Sequence, residues 1–242
     1  MTVLRPSARF WIACAIALVP LASGRVPRVS PRTSVASGGT ISRLFESRGP
    51  DDPPDRATRR KRLAAGARGT YIADMLAERD SSLARWPSRT EPLTVWIQPS
   101  SVVAGWSDTY VDEVRDAFEQ WNVVRLPVRF AFTSDSAAAD VHVSFINRFD
   151  EEISGRTTWS RDDEWWITNA DIVLAVFHRN GPRLDDDAMH AMSLHEIGHL
   201  LGLDHTTDNT SIMASRVRVR TLSAADRATV RLLYTLPPGG VR

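Results

Sequence analysis

Three of the chain's six histidines fall within eleven residues, in His195-Glu196-Ile197-Gly198-His199-Leu200-Leu201-Gly202-Leu203-Asp204-His205. A spacing of four puts His195 and His199 on one face of a helix, where two imidazoles can meet one tetrahedral ion. Gly202 stands where that helix must end. Glycine takes the left-handed conformation that turns a chain back sharply, which lets His205 arrive as a third ligand. Three neutral imidazoles leave a fourth position for water, and Glu196, beside them, can accept that water's proton. With average residue usage, such a pattern recurs by chance in a chain of this length on the order of once in 10⁵.

Elements are needed to hold these groups. The spacing predicts the active-site helix over about Asp187 to Leu201, with His190 on its outer part. Ser107 or Asp108 starts a second helix through about Asn122, its shared face carrying Tyr110, Val111, Val114, Phe118 and Trp121. Leu93–Ile97, Val128–Phe132, Val141–Phe145, Gly155–Trp159 and Asp171–Phe177 read as strands, the third alternating Val141, Val143 and Phe145 against His142 and Ser144. Strands and helices in this order argue for an α/β sheet rather than a sandwich or bundle. Upstream, Thr70 is placed to cap a short helix from Tyr71 to about Leu83, carrying Met75 and Leu76, that docks on the domain formed by these strands and helices.

HEIGHLLGLDH is similar to the extended zinc signature of the metzincin metalloproteases, and Met213 of Ser211-Ile212-Met213 follows His205 by eight residues, the Met-turn spacing of the matrixin subgroup. Ala139-Asp140-Val141-His142-Val143-Ser144-Phe145 resembles the family's sheet strand. Leu222-Ser223-Ala224-Ala225-Asp226, with Leu233-Tyr234, resembles its last helix, and Ser223 and Asp226 also form a capping-box pattern by themselves. The resemblance implies a zincin-like α/β (α+β) fold: a twisted, mostly parallel five-stranded sheet with an antiparallel edge strand, an active-site helix and a C-terminal helix. It implies one catalytic zinc on His195, His199 and His205, Glu196 as general base, Met213 as an apolar floor under the imidazoles, and an extended peptide substrate added to the edge Gly155–Trp159. A non-catalytic zinc-binding module used in adhesion or inhibition is the alternative.

Departures accompany the resemblance. Ala214-Ser215-Arg216 replaces the family's usual Pro-x-Tyr beside the S1′ pocket, so substrate preference does not transfer. Only His142 and His178 stand in the middle segment that would supply a second, structural zinc; both read as surface or second-layer residues. Asp162-Asp163-Glu164 and Asp185-Asp186-Asp187 could bind calcium, though solvated loops explain them as well.

At the N-terminus, Arg5 and Arg9 precede an apolar run from Phe10 to Leu21 and then Ala22-Ser23-Gly24, the layout of an export signal over 1–24. Twelve residues span about 18 Å as a helix, short of a bilayer core of roughly 30 Å. The expected location is secreted, extracellular or periplasmic. The lone Cys14 leaves with the signal, which excludes thiolate ligands and the family's pro-segment cysteine latch. Residues 25–69, rich in Arg, Pro and Ser, read as a disordered leader or linker, 70–90 as the docking helix, 91–236 as the catalytic domain and 237–242 as a tail. The formal net charge of +1 averages 16 basic and 7 acidic side chains in residues 1–90 (+9) with 14 and 22 in residues 91–242 (−8). The acidic part excludes a nucleic-acid partner. The basic part fits a disordered leader and a packed pro-region equally. A protein or peptide substrate and a monomer complete the expectation.

Overall fold

The computed structural model describes residues 8–11, 56–79 and 81–240. Its main sheet runs in the order β1-β6-β7-β5-β3-β4, with β1 Ala8–Trp11, β3 Leu93–Ile97, β4 Phe130–Phe132, β5 Val141–Ile146, β6 Gly155–Arg161 and β7 Ile167–Ala175. β4, β3, β5 and β7 are mutually parallel and β6 is antiparallel to β7, as the resemblance implies. A sixth strand is added to the expected five: β1 pairs antiparallel with β6, from Ala8 opposite Arg161 to Trp11 opposite Thr158. The rest of the expected signal, and the expected leader as far as residue 55, lie outside the described residues.

Strand ends depart from the sequence reading for local reasons. β4 starts at Phe130, not Val128, because the Asn122 side chain brackets Phe130, accepting from its N–H at 2.9 Å and donating to its C=O at 3.2 Å. β7 starts at Ile167, four residues before the expected Asp171, and its opening stretch carries the exposed polar residues Thr168 and Asn169. Apolar content alone does not reveal such polar strand residues. β5 keeps the expected alternation, with Val141, Val143 and Phe145 buried.

Helices α3 (Thr109–Asn122) and α4 (Asp186–Leu200) pack on each other, and α4 also packs on β6 and β7. α3 buries Tyr110, Val114, Ala117, Phe118 and Trp121, with Phe118 edge-on to Phe130 at 4.9 Å. The Trp121 indole N–H donates to Leu194 O at 3.0 Å, and Tyr110 OH donates to Leu184 O at 2.5 Å, so two aromatic side chains bond as well as pack α3 to the region of α4. Asp185 caps α4 by accepting from Ala188 N at 2.8 Å. α5, Ala224–Thr235, opens with the expected capping box between Ser223 and Asp226.

Upstream of the expected catalytic domain the chain is more ordered than its composition suggests. Within the stretch read as a disordered leader, Arg56–Gly66 forms helix α1, whose Leu63 packs on the core and whose Arg59 donates to Gly240 O at 2.5 Å. Arg, Ala and Leu are strong helix formers, and packing of one face supplies what propensity alone does not. Helix α2 spans Ile72–Glu78, shorter than the expected helix to Leu83. It ends because Ser81 adopts φ 60° and its N–H turns back to Leu76 O at 2.7 Å. Thr70 does not cap it; its hydroxyl donates to Ala67 O. Leu83 is buried from strand β2, Ser82–Leu83, which pairs with β8, Gly239–Gly240, so the expected tail is held through residue 240. No helix among the described residues is long and apolar enough to cross a membrane.

Candidate active site

α4 is a central helix, buried over most of its circumference, and this carries His195, Glu196 and His199 into the interior at 1–2% exposure. Burying such groups costs free energy unless each finds partners. Two histidines find theirs in backbone carbonyls. His195 Nδ1 lies 2.7 Å from Ile212 O, and His199 Nδ1 lies 3.0 Å from Leu203 O. A carbonyl only accepts, so both Nδ1 atoms carry the proton and both Nε2 atoms present lone pairs. Those Nε2 atoms face each other at 3.1 Å.

The third imidazole comes from the turn after α4. Gly202 has φ +94° and closes the helix: its N–H bonds to His199 O at 3.0 Å, and Leu203 N–H reaches Gly198 O at 2.9 Å, the paired bonds of a Schellman turn. A Cβ on Gly202 would stand 2.2 Å from Ala84 O, so conformation and space both require glycine. The reversal brings His205 to ring-centroid distances of 5.4 Å from His195 and 4.8 Å from His199. The nitrogens of the three rings lie close enough to share one ion. Burial pushes all three imidazoles below their ordinary range, His195 to about 4, with the neighbouring rings adding a smaller repulsion at His195 and His199. Neutral, converging lone pairs in a buried site suit a cation, and the donor set fits zinc.

Glu196 leaves the helix one position after His195 and lies over the start of β6. Its Oε2 accepts from Thr157 Oγ1 at 2.7 Å. Gly155 allows this approach, since a Cβ there would meet Glu196 Oε1 at 2.4 Å. Burial pushes the carboxyl up to about 7, against the Thr157 hydrogen bond and the Arg156 charge, which pull it down. Thr157 is absent from the sequence-based expectations. An isolated threonine in a strand carries no signal, and only the sheet brings it to residue 196.

Met213 is fully buried beneath α4, so near Gly198 that a Cβ on that glycine would stand 2.2 Å from its sulfur. Its turn is held from α5: Asp226 accepts from Ser211 Oγ at 2.5 Å and from Ile212 N–H at 3.2 Å. The same turn supplies the Ile212 carbonyl that fixes His195, so Asp226 supports the site from two bonds away, a role beyond the cap read from sequence.

Beside Glu196 opens a cavity of about 430 Å³, reached by Gly155, Met192 and His195 and walled by His178 and by Ser215–Val217. His178 is thus at the site, its Nδ1 2.8 Å from Ser154 Oγ. His142 lies elsewhere, on Ser136 O at 2.8 Å, and His190 is packed against α3 by Gln120 at 2.8 Å and Glu113 at 3.3 Å rather than projecting outward. The acidic clusters have other occupations. Asp185 is a cap, Asp186 accepts from Thr109, Asp187 pairs with Arg220, and Asp162 accepts from Glu164 N–H and Trp166 N–H. Among the described residues, the groups of acidic and histidine side chains close enough to share an ion are the three histidines and Glu78, Asp204 and His205.

The family model for matrixin matches residues 147–235, from the end of β5 through α5. Over those residues the chain is similar to the matrixin family. It is similar to "Metalloendoproteinase 1" of Glycine max, 27% identical over 174 residues that cover 64% of this chain and 54% of the relative. It is also similar to "Metalloendoproteinase 5-MMP" of Arabidopsis thaliana, 26% identical over 181 residues, 64% of this chain and 47% of the relative. The chain therefore spans about half the length of these curated relatives. The matched region contains all three histidines, Glu196, Met213 and the cavity, whereas β3, α3, β4 and β5 lie before it.

Proposed function

We propose that this protein is an exported zinc-dependent endopeptidase. The observation that carries the reading is the convergence of three neutral imidazoles beside a buried carboxylate whose proton affinity lies near neutrality. His195, His199 and His205 would hold the metal, which when bound supplies Lewis acidity toward a water and the scissile carbonyl.

Glu196 takes up the proton released as the water attacks and delivers it to the leaving amine. A carboxyl poised near 7 can both accept and return a proton, and the Thr157 hydroxyl holds one of its oxygens in place. The start of β6 runs directly past Glu196, and its outer edge offers backbone groups to an extended peptide, which favours peptides over small esters. The cavity beside Glu196 would receive a side chain of that peptide. Its wall at Ser215 and Arg216 is polar where the sequence departs from the family pattern, so its preference belongs to this chain. The apolar segment at the N-terminus supports export, and a monomer acting on a protein or peptide completes the reading.

Glu196→Ala tests it. The variant should bind zinc in the same amount as the parent while cleavage of an unstructured protein disappears. Retained turnover removes Glu196 from the mechanism, and a parent chain that binds zinc without cleaving any of a broad peptide pool supports a non-catalytic binding module instead.

A further inference from the structure

His195 and His199 are fixed by the helix that carries them, but His205 is delivered by a turn and needs support from elsewhere. That support comes from α2, more than 120 residues earlier. Arg79, just past the helix end, is nearly buried, with 10% of its side chain exposed. Its Nε bonds the Asp204 carboxylate at 2.5 Å, Nη1 donates to Gly202 O at 2.9 Å and Nη2 to Leu203 O at 3.1 Å. One planar guanidinium thus engages all three residues that precede His205, and its carbon lies 5.2 Å from the Trp159 ring centroid of β6. On the other side of His205, Asp74 of α2 accepts from Thr206 Oγ1 at 2.8 Å and from Thr207 N–H at 3.3 Å.

We propose that Arg79, with Asp74, is the positioning residue for the third imidazole, so that the segment 72–79, outside the matched matrixin region, sets the affinity of the metal site. The clamp fits that role better than general packing. Its bonds converge on the turn 202–207 around His205, and at Leu203 O Arg79 shares the acceptor of His199 Nδ1. The inference rests on the proposed metal site, and its test separates the two.

Metal affinity is measured for the full chain by competition with a chromogenic chelator, using zinc and cobalt(II), together with the visible cobalt spectrum. Arg79→Ala should weaken binding roughly 10- to 100-fold, the usual effect of removing a residue that orients a ligand, and should dim the cobalt bands of three-histidine coordination. Arg79→Lys should give a partial loss, since one ammonium cannot serve three acceptors in a plane. In a His205→Ala background, Arg79→Ala should cost clearly less than in the parent, because only its bond to Leu203 O, the acceptor of His199, then remains in play. An equal loss in both backgrounds, or wild-type affinity in Arg79→Ala, overturns the positioning role. If Arg79→Ala does not fold, Arg79→Lys and Asp74→Asn carry the same comparison. A wild-type chain that takes up neither metal overturns the reading of the site itself.

Discussion

Glu196 is the residue on which burial acts most visibly. In the metal-free protein its carboxyl is raised from 4.5 to about 7, first by desolvation. Between those values the folded state binds more protons than the unfolded one, so this group's contribution to stability is complete below about pH 4.5 and is lost as pH rises through 7. At 1.36 kcal/mol per unit, the loss above neutrality is about 3 kcal/mol. Metal-free Glu196→Gln, which keeps the shape and can still accept from Thr157, should therefore melt above the parent at pH 8 and match it near pH 4.5. Parallel melting curves across that range would contradict the burial argument. The histidines act in the opposite direction. Held neutral, they cost stability as pH falls below about 6.5, His195 down to about 4, but they do so in both proteins and leave the difference to Glu196.

At the scale of elements, the segment 70–90 is structural rather than accessory. Trp86 donates its indole N–H to Leu200 O at 2.9 Å, the carbonyl at the end of the active-site helix. Arg85 donates to Leu236 O at 2.8 Å and lies between the rings of Trp166 and Tyr234. Removing one buried aromatic of this size costs about 3–5 kcal/mol. A chain starting at residue 91 should thus fail to give a cooperative thermal transition, whereas one starting at residue 56, with α1 and α2 intact, should melt like the parent. A sharp transition in the shorter chain would return these residues to the status of a leader. Much of the element pattern is legible in sequence: α3 and β5 follow their apolar periodicities, and α5 opens at its capping box. α2 and β4 are less so, because a positive φ at Ser81 ends the one and the Asn122 bracket on Phe130 starts the other, and neither leaves a periodic trace.

For the molecule as a whole, the N-terminal strand bears on access to the site in the chain that still carries residues 1–24. β1 covers the outer edge of β6 at Thr158–Arg161, just beyond the Gly155–Thr157 stretch that borders Glu196. An extended peptide longer than a few residues would compete for that edge. Removing residues 1–24 should raise kcat/KM several-fold for long extended peptides and leave short ones unchanged; equal rates for both lengths would show that β1 does not compete. The division of charge, +9 over residues 1–90 and −8 over residues 91–242, also looks different once α1 and α2 are seen to pack with the acidic part. Arg59, Arg79 and Arg85 are used on backbone carbonyls, and Arg79 also on the Asp204 carboxylate.

The sequence alone determined the local half of the site. A four-residue spacing puts His195 and His199 on one helical face, Glu196 adjoins them, and Gly202 ends the helix, since each of these follows from the geometry of one turn or the next. Only the tertiary structure decided what holds those groups: Thr157 on Glu196, Asp226 on the turn that carries Ile212 and Met213, and Arg79 and Asp74 around His205. These partners lie between about 15 and more than 120 residues away along the chain. Contacts at such separations are set by how layers pack, and packing leaves no spacing in the sequence by which it could be read.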